Sequence, residues 1–284
     1  DNRDLHSFPT RRSSDLDDFN SSNEWGIQVT TRAPGSASAL AEAVGNDLLN
    51  YAPPEVIAAP IDYLLRLNLE DDVVVDLTPY VESPEYGITG DDIKYFADVF
   101  WQQDVVDDYR YGIPAQRTAR VMVYNKTWAE ELGFTDPPST PEEFQQQVCE
   151  AAGQLKLDAT GYNDGLGGWI LNYEDMTMVS WLTAFGSDFS KNNRIAFNNN
   201  QTISTLSYLR ELLDNECAWL SSKPEPYKYF AERQTLVYTA DLQEIFLQQH
   251  AQTFYASTDE WVVLPFPSET EPVVLAQGPS YAVL

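Results

Sequence analysis

Two histidines, two cysteines and 44 acidic side chains are the raw material for chemistry in this 284-residue chain. His6 and His250 are too few to build a histidine metal site. No serine or cysteine has an elbow motif around it, so a Ser-His-Asp or Cys-His arrangement lacks its parts. His250 lies in a polar run, Gln248-Gln249-His250-Ala251-Gln252, and reads as a surface helix residue. Cys149 and Cys217 are too few for a zinc or iron–sulfur site. They are either two small buried hydrophobes or one disulfide. The acidic pairs Asp71-Asp72, Asp91-Asp92 and Asp107-Asp108 lack calcium-loop spacing and read as solvated faces. The glycines of 161–168 lead into Trp169 rather than Lys-Ser or Lys-Thr, so they read as a turn and not a phosphate cradle. Two carboxylates from different segments could run glycoside hydrolysis, but the adjacent Glu174 and Asp175 would not face one another on a helix. The better supplied chemistry is hydroxyl recognition. Aromatic faces cover the C–H patches of a sugar ring, and Asp, Asn, Gln and Arg match its hydroxyls. Trp169, Glu174 and Asp175 stand together in that sense. No metal and no cofactor is expected, and binding without catalysis is the expectation.

The elements that must position these groups alternate. Residues 27–31 and 56–59 read as strands, with a helix between them spaced on Ala39, Leu40, Ala43, Val44 and Leu48 and capped by Ser36 or Ser38. That order suggests a parallel strand–helix–strand unit. Residues 91–109 read as a helix, broken by Tyr111-Gly112-Ile113-Pro114, and 121–125 as a strong strand. Thr140-Pro141-Glu142-Glu143 is a helix start: Thr140 caps, Pro141 fits the first turn and Glu143 completes a capping box. Helices follow over 178–189 and 203–213, then strands over 236–240, 261–266 and 272–275. The expected architecture is α/β with sheets covered on both faces.

Hydrophobic residues make up 43% and aromatics 13% of the chain, enough for packed cores. The net charge of −27 repels phosphate backbones and anionic membranes, so no nucleic-acid partner is expected. No apolar run approaches the roughly 20 residues needed to span a bilayer. Residues 1–16 resemble translated sequencing adapter and are set aside. The chain is expected to be cut at both ends, so a signal or lipid anchor could be missing.

From Tyr111 onward a set of motifs falls in a recognisable order: Gly112-x-Pro114, Tyr124-Asn125-Lys126, Leu132-Gly133, Pro137-Pro138 and Thr140 to Glu143. Trp181 to Gly186, Phe230 to Ala240, Val263 to Pro267 and Gly278-Pro279-Ser280-Tyr281 continue it. Together they resemble the sugar-type extracellular solute-binding proteins of ABC transporters, the maltose-binding-protein-like family. Two departures stand out: Thr140-Pro141 replaces the usual Thr-Trp, and Arg233 stands where glycine is usual. The resemblance implies a two-lobed periplasmic-binding-protein fold, type II-like, with lobe 1 incomplete. It places lobe 1 at 17–118, lobe 2 at 119–264 and a return into lobe 1 at 265–284. It implies capture of a sugar or oligosaccharide in the inter-lobe cleft and delivery to the permease subunits of an ABC importer. The carrier would be an extracellular or periplasmic monomer, lipid-anchored through a missing N-terminus. The implied ligand residues are Asp62, Tyr63, Arg117, Thr118, Trp169, Glu174, Asp175, Asp241, Gln243, Gln277, Ser280 and Tyr281. Gln243 stands where the family often has an aromatic. Export also implies a Cys149–Cys217 disulfide. The competing expectations are a secreted carbohydrate hydrolase, or the same fold holding a polyamine-like cation.

Overall fold

The computed structural model describes residues 11–88, 92–171, 174–188, 190–191, 194–195, 197–221 and 225–284. His6, Asp91 and residues 1–10 of the adapter-like segment lie outside them. The fold divides into two compact units, residues 1–116 with 278–284, and residues 117–277. The expected return into the first unit at Pro265 comes later. The strand Leu275–Gln277 still pairs with Thr118–Asn125, which keeps 265–277 in the second unit.

In the first unit a three-stranded sheet runs in the order Val56–Ala59, Ser280–Val283, Ile113–Pro114. Both pairings are antiparallel, so the expected parallel unit around 56–59 does not form. Residues 27–31 form no strand either. Their backbone is satisfied by side chains instead: Asn20 Oδ1 accepts from Val29 N–H at 2.7 Å and Asn23 Oδ1 from Ile27 N–H at 2.8 Å. The helix Ala37–Leu49 begins where expected, with Ser36 Oγ accepting from Ala39 N–H at 3.1 Å. It and the helix Ile61–Asp71 bury Val44, Leu64 and Leu67 against Ile57, Ala59 and Ala282. The long helix expected over 91–109 is broken up. Asp98–Gln102 is helical, and Val105–Val106 and Tyr109–Arg110 then form a hairpin. Its turn residues Asp107 and Asp108 take φ of 51° and 64°, the left-handed pair that a two-residue hairpin turn requires. Arg110 is buried and bonds the carbonyls of Trp101 and Gly112, with its guanidinium 3.9 Å from the Trp101 ring centroid.

The second unit is built on a sheet in the order Trp261–Leu264, Thr118–Asn125, Val237–Asp241, Trp169–Leu171, Ala218–Leu220. Val237–Asp241, Trp169–Leu171 and Ala218–Leu220 pair in parallel, while Thr118–Asn125 runs antiparallel to Val237–Asp241, Trp261–Leu264 and Leu275–Gln277. Helices cover both faces. On one face Phe144, Trp169, Trp181 and Phe266 pack edge to face, with centroids 5.2–5.7 Å apart. Such pairs add about 1 kcal/mol each beyond area burial. On the other face Phe230, Tyr238 and Ala240 pack with Ile170 and Val123. The capping box at Thr140 and Glu143 opens the helix Pro141–Leu157 as its sequence predicts. Cys149 on this helix is bonded to Cys217, which precedes the strand Ala218–Leu220. Gly168 lies so close to Cys217 that a Cβ there would meet its carbonyl oxygen at 1.9 Å, so only glycine fits.

Candidate functional site

The carboxyl ends of two parallel strands, Val237–Asp241 and Trp169–Leu171, open on the same edge of the second unit's sheet. Loops at such an edge are where α/β sheets hold ligands. Asp241 closes its strand and stands opposite Arg120 in register. Arg120 belongs to Thr118–Asn125, a strand otherwise apolar at its centre, and is 3% exposed. A guanidinium buried to that degree must be paired. Its Nη2 donates to Glu174 and lies 3.0 Å from Asp241 Oδ1. Its Nε is buried and has no partner among the described residues. Gln277, from the other strand beside Thr118–Asn125, donates through Nε2 to both Asp241 oxygens, at 3.2 and 3.3 Å.

One turn fixes the remaining members. Asp241 and Glu244 form a capping box, with Glu244 Oε2 accepting from Asp241 N–H at 3.4 Å, ahead of the helix Ile245–Phe254. Thr118 Oγ1 accepts from Gln243 N–H at 3.2 Å, which ties that turn to the start of the strand Thr118–Asn125. Burial raises the Asp241 carboxyl above its ordinary value; Arg120 opposes the shift and Glu174 adds to it. Glu244 is likewise raised, chiefly by burial and further by Asp241 and Glu174. Tyr227 is raised by burial and then by the carboxylates of Glu244, Glu225, Glu174 and Asp241. Glu174 is the exposed member, with 58% of its side chain open to solvent against 15% for Asp241. Among the described residues no group of three His, Cys, Asp or Glu is arranged to hold a metal ion.

Against families of known proteins, the profile described as bacterial extracellular solute-binding protein matches residues 16–283. The chain belongs to that family. This solute-binding protein is 33% identical over 89 residues to binding proteins of Brucella abortus (strain 2308) and Brucella suis biovar 1 (strain 1330). That stretch is 31% of this chain and spans only 21% of those curated relatives. Its fold superposes on the sugar-binding protein MalE from Xanthomonas citri with a TM-score of 0.79, at 16% identity, over 96% of this chain and 67% of the other. It superposes on the galacto-N-biose/lacto-N-biose I-binding protein of an ABC transporter from Bifidobacterium longum with a TM-score of 0.72, at 20% identity, over 96% and 66%. At these identities the likeness is one of fold: a two-lobed α/β binding-protein architecture.

The solute-binding protein brings together part of the expected ligand set. Glu174 and Asp241 meet Arg120, Gln277 meets Asp241, and Thr118 accepts from the Gln243 N–H, whereas Asp175 is exposed in the first turn of the helix Asp175–Ala184 and Arg117 is half-buried just before the strand Thr118–Asn125. Trp169 is corrected: it is 0% exposed and packed between Phe144 and Trp181, so its ring is core and not a sugar platform. Ser280 is corrected as well, being 0% exposed with its Oγ donating to Asp104 at 2.6 Å. Also in the first unit, Asp62 is exposed in the first turn of its helix. Tyr63 is half-buried with Arg66 5.3 Å from its ring centroid, and Tyr281 is 43% exposed. Arg120, Glu244 and Tyr227 were missed by the sequence reading. Two signals were available: a lone charge inside an apolar strand, and the Asp-x-x-Glu spacing of a cap.

Proposed function

We propose that this chain captures a neutral sugar or oligosaccharide outside the cytoplasmic membrane and hands it unchanged to the permease subunits of an ABC importer. The observation that carries the reading is the Arg120 cluster. An arginine with an unpartnered donor stands beside carboxylates that only accept. A hydroxyl is the group that suits both, because it accepts from the guanidinium and donates to Glu174 or Asp241. An anion would meet three carboxylates, and a purely cationic ligand would leave the arginine donor unmatched. The sugar binding named for MalE of Xanthomonas citri and the lacto-N-biose named for the Bifidobacterium longum protein are in keeping with this chemistry. The family's description as bacterial extracellular solute-binding protein supports a carrier in the extracellular or periplasmic space. Attachment there by a lipid anchor and function as a monomer are part of the same proposal.

Titration calorimetry against a panel of mono- and disaccharides tests it. At least one sugar binds, and Glu174→Gln weakens it about 10- to 100-fold, the worth of a charge-assisted hydrogen bond of roughly 1.5–3 kcal/mol. Chromogenic glycosides are recovered intact. Silence across the whole sugar panel, or steady turnover of a glycoside, rejects the reading, and turnover would favour the hydrolase.

A further inference from the structure

Strand register puts four polar side chains of the second unit on one face of its sheet. Arg120 lies opposite Asp241. Thr118, two residues from Arg120 and so on the same face, lies opposite Gln277. Gln277 is the half-buried last residue of its strand. Its Nε2 donates to Oδ1 and Oδ2 of Asp241, at 3.2 and 3.3 Å. The amide therefore spans the carboxylate instead of touching one corner of it. Only an ionised carboxylate offers both oxygens purely as acceptors. The contact favours the charged form, against the burial that raises Asp241. Arg120 works in the same direction as Gln277, and Glu174 in the other. Asp241 in turn raises Glu244, its partner in the cap, and Tyr227 of the helix Tyr227–Ala231.

We propose that Gln277 is a positioning residue: its amide keeps Asp241 ionised and fixed beside Arg120, so that the site holds its sugar as the surroundings turn acid. The family resemblance implied a ligand contact at Gln277, but its amide nitrogen is committed to Asp241. Thr118, its register partner, grips the same turn through the Gln243 N–H at 3.2 Å, so paired residues of two neighbouring strands hold the turn together. Protonation of Asp241 would cost the site twice. Arg120, 3% exposed, would lose one of the two carboxylates that balance it. A sugar hydroxyl would lose a charge-assisted acceptor. The inference rests on the sugar reading above and names the side chain that sets the site's acid limit.

The test uses the intact chain and the mono- or disaccharide that binds tightest in the calorimetric panel, with affinity measured from pH 7 down to pH 4. In the unaltered chain affinity should fall on acidification, with a midpoint above the ordinary aspartate range. Gln277→Leu has no donor. It should move that midpoint up by about one pH unit, since a hydrogen bond to a charged group is worth about a tenfold change in an equilibrium constant. Gln277→Lys sets a cationic donor in its place and should move the midpoint down. A side chain needed only for packing would weaken binding in both variants and leave the midpoint where it was. The two variants carry opposite signs, so a folding defect in one, seen in its melting curve, leaves the other to decide. Midpoints that stay with the unaltered chain, or that move the same way in both variants, overturn the role of Gln277 while the sugar reading stands. Affinity of the unaltered chain that stays flat into the ordinary aspartate range overturns it too. No sugar bound at any pH overturns the sugar reading and this inference with it.

Discussion

Arg120 and Glu174 divide the work of the site by burial. Arg120 is fixed in the sheet, and Glu174 sits at the surface, where the proposed sugar would reach it. Asp241 holds the guanidinium from within and is itself held by Gln277. The same argument separates Trp169 from the site. Trp169→Ala should destabilise the second unit by about 3–5 kcal/mol, the usual cost of deleting a buried aromatic ring. Chemical denaturation measures it; a variant of native stability with lost sugar affinity would return Trp169 to the ligand set. Glu244 makes a prediction of opposite sign. Its folded pKa is raised above the unfolded value, so the folded chain binds more protons and stability falls as pH rises through that window. Glu244→Gln removes the ionised carboxylate and keeps an oxygen for the Asp241 N–H. It should raise the melting temperature at pH 7, and the gain should vanish as pH is lowered below the ordinary glutamate range. A variant less stable at pH 7 would contradict the assignment. At this scale the sequence showed residue types but not directions. Trp169 and Glu174 are five residues apart, yet one faces a core and the other water.

Elements were more legible than residues, and local chemistry explains which ones. The Thr140 capping box, the Ser36 cap and the apolar stripe of Pro141–Leu157 act within one turn or one helix, and each is present. The misread elements depend on distant partners. Residues 27–31 have strand-forming side chains but find asparagines instead of a ladder, and 56–59 is a strand whose partner arrives from residues 280–283. Arg233 marks a departure that the structure explains. It takes φ of 54°, where glycine is easiest, and repays that strain with Glu131 and Asp259. Burial alone would raise the Asp259 carboxyl, but bonds from Arg233 and Asn125 outweigh it and hold it low. A depressed carboxyl adds stability above its unfolded pKa and loses it as pH falls through the folded one. Arg233→Ala should therefore cost about 2–3 kcal/mol at pH 7, since Asp259 is left buried with its charge unpaired, and less at pH 3. Equal loss at both values would mean that packing rather than charge is at stake. The Cys149–Cys217 bond closes a loop with a separation of 68 residues, for which chain entropy gives about 4 kcal/mol. Replacing both cysteines by alanine should lower the denaturation free energy of the second unit by about that amount; an unchanged midpoint would show that the bond adds nothing.

On the scale of the whole molecule, a net charge of −27 repels other dense anionic surfaces, phosphate backbones among them. Among the described residues no helix is long and apolar enough to cross a membrane. The order of motifs from Gly112 to Tyr281 carried the family in the sequence, and several of them, such as Tyr124-Asn125-Lys126 and Thr140 to Glu143, sit at strand ends or helix starts where backbone geometry limits the choice of residue. The ligand did not show in the same way. The groups that would choose it come from four separate segments, around residues 120, 174, 241 and 277, and only pairing in the sheet brings them together. The most direct test is a crystal structure of the chain with the tightest-binding sugar of the panel. Intact sugar with hydroxyl oxygens within about 3 Å of the Arg120 guanidinium and the Glu174 carboxylate is the predicted result. Sugar bound away from Arg120, or density for a cleaved product, would contradict it.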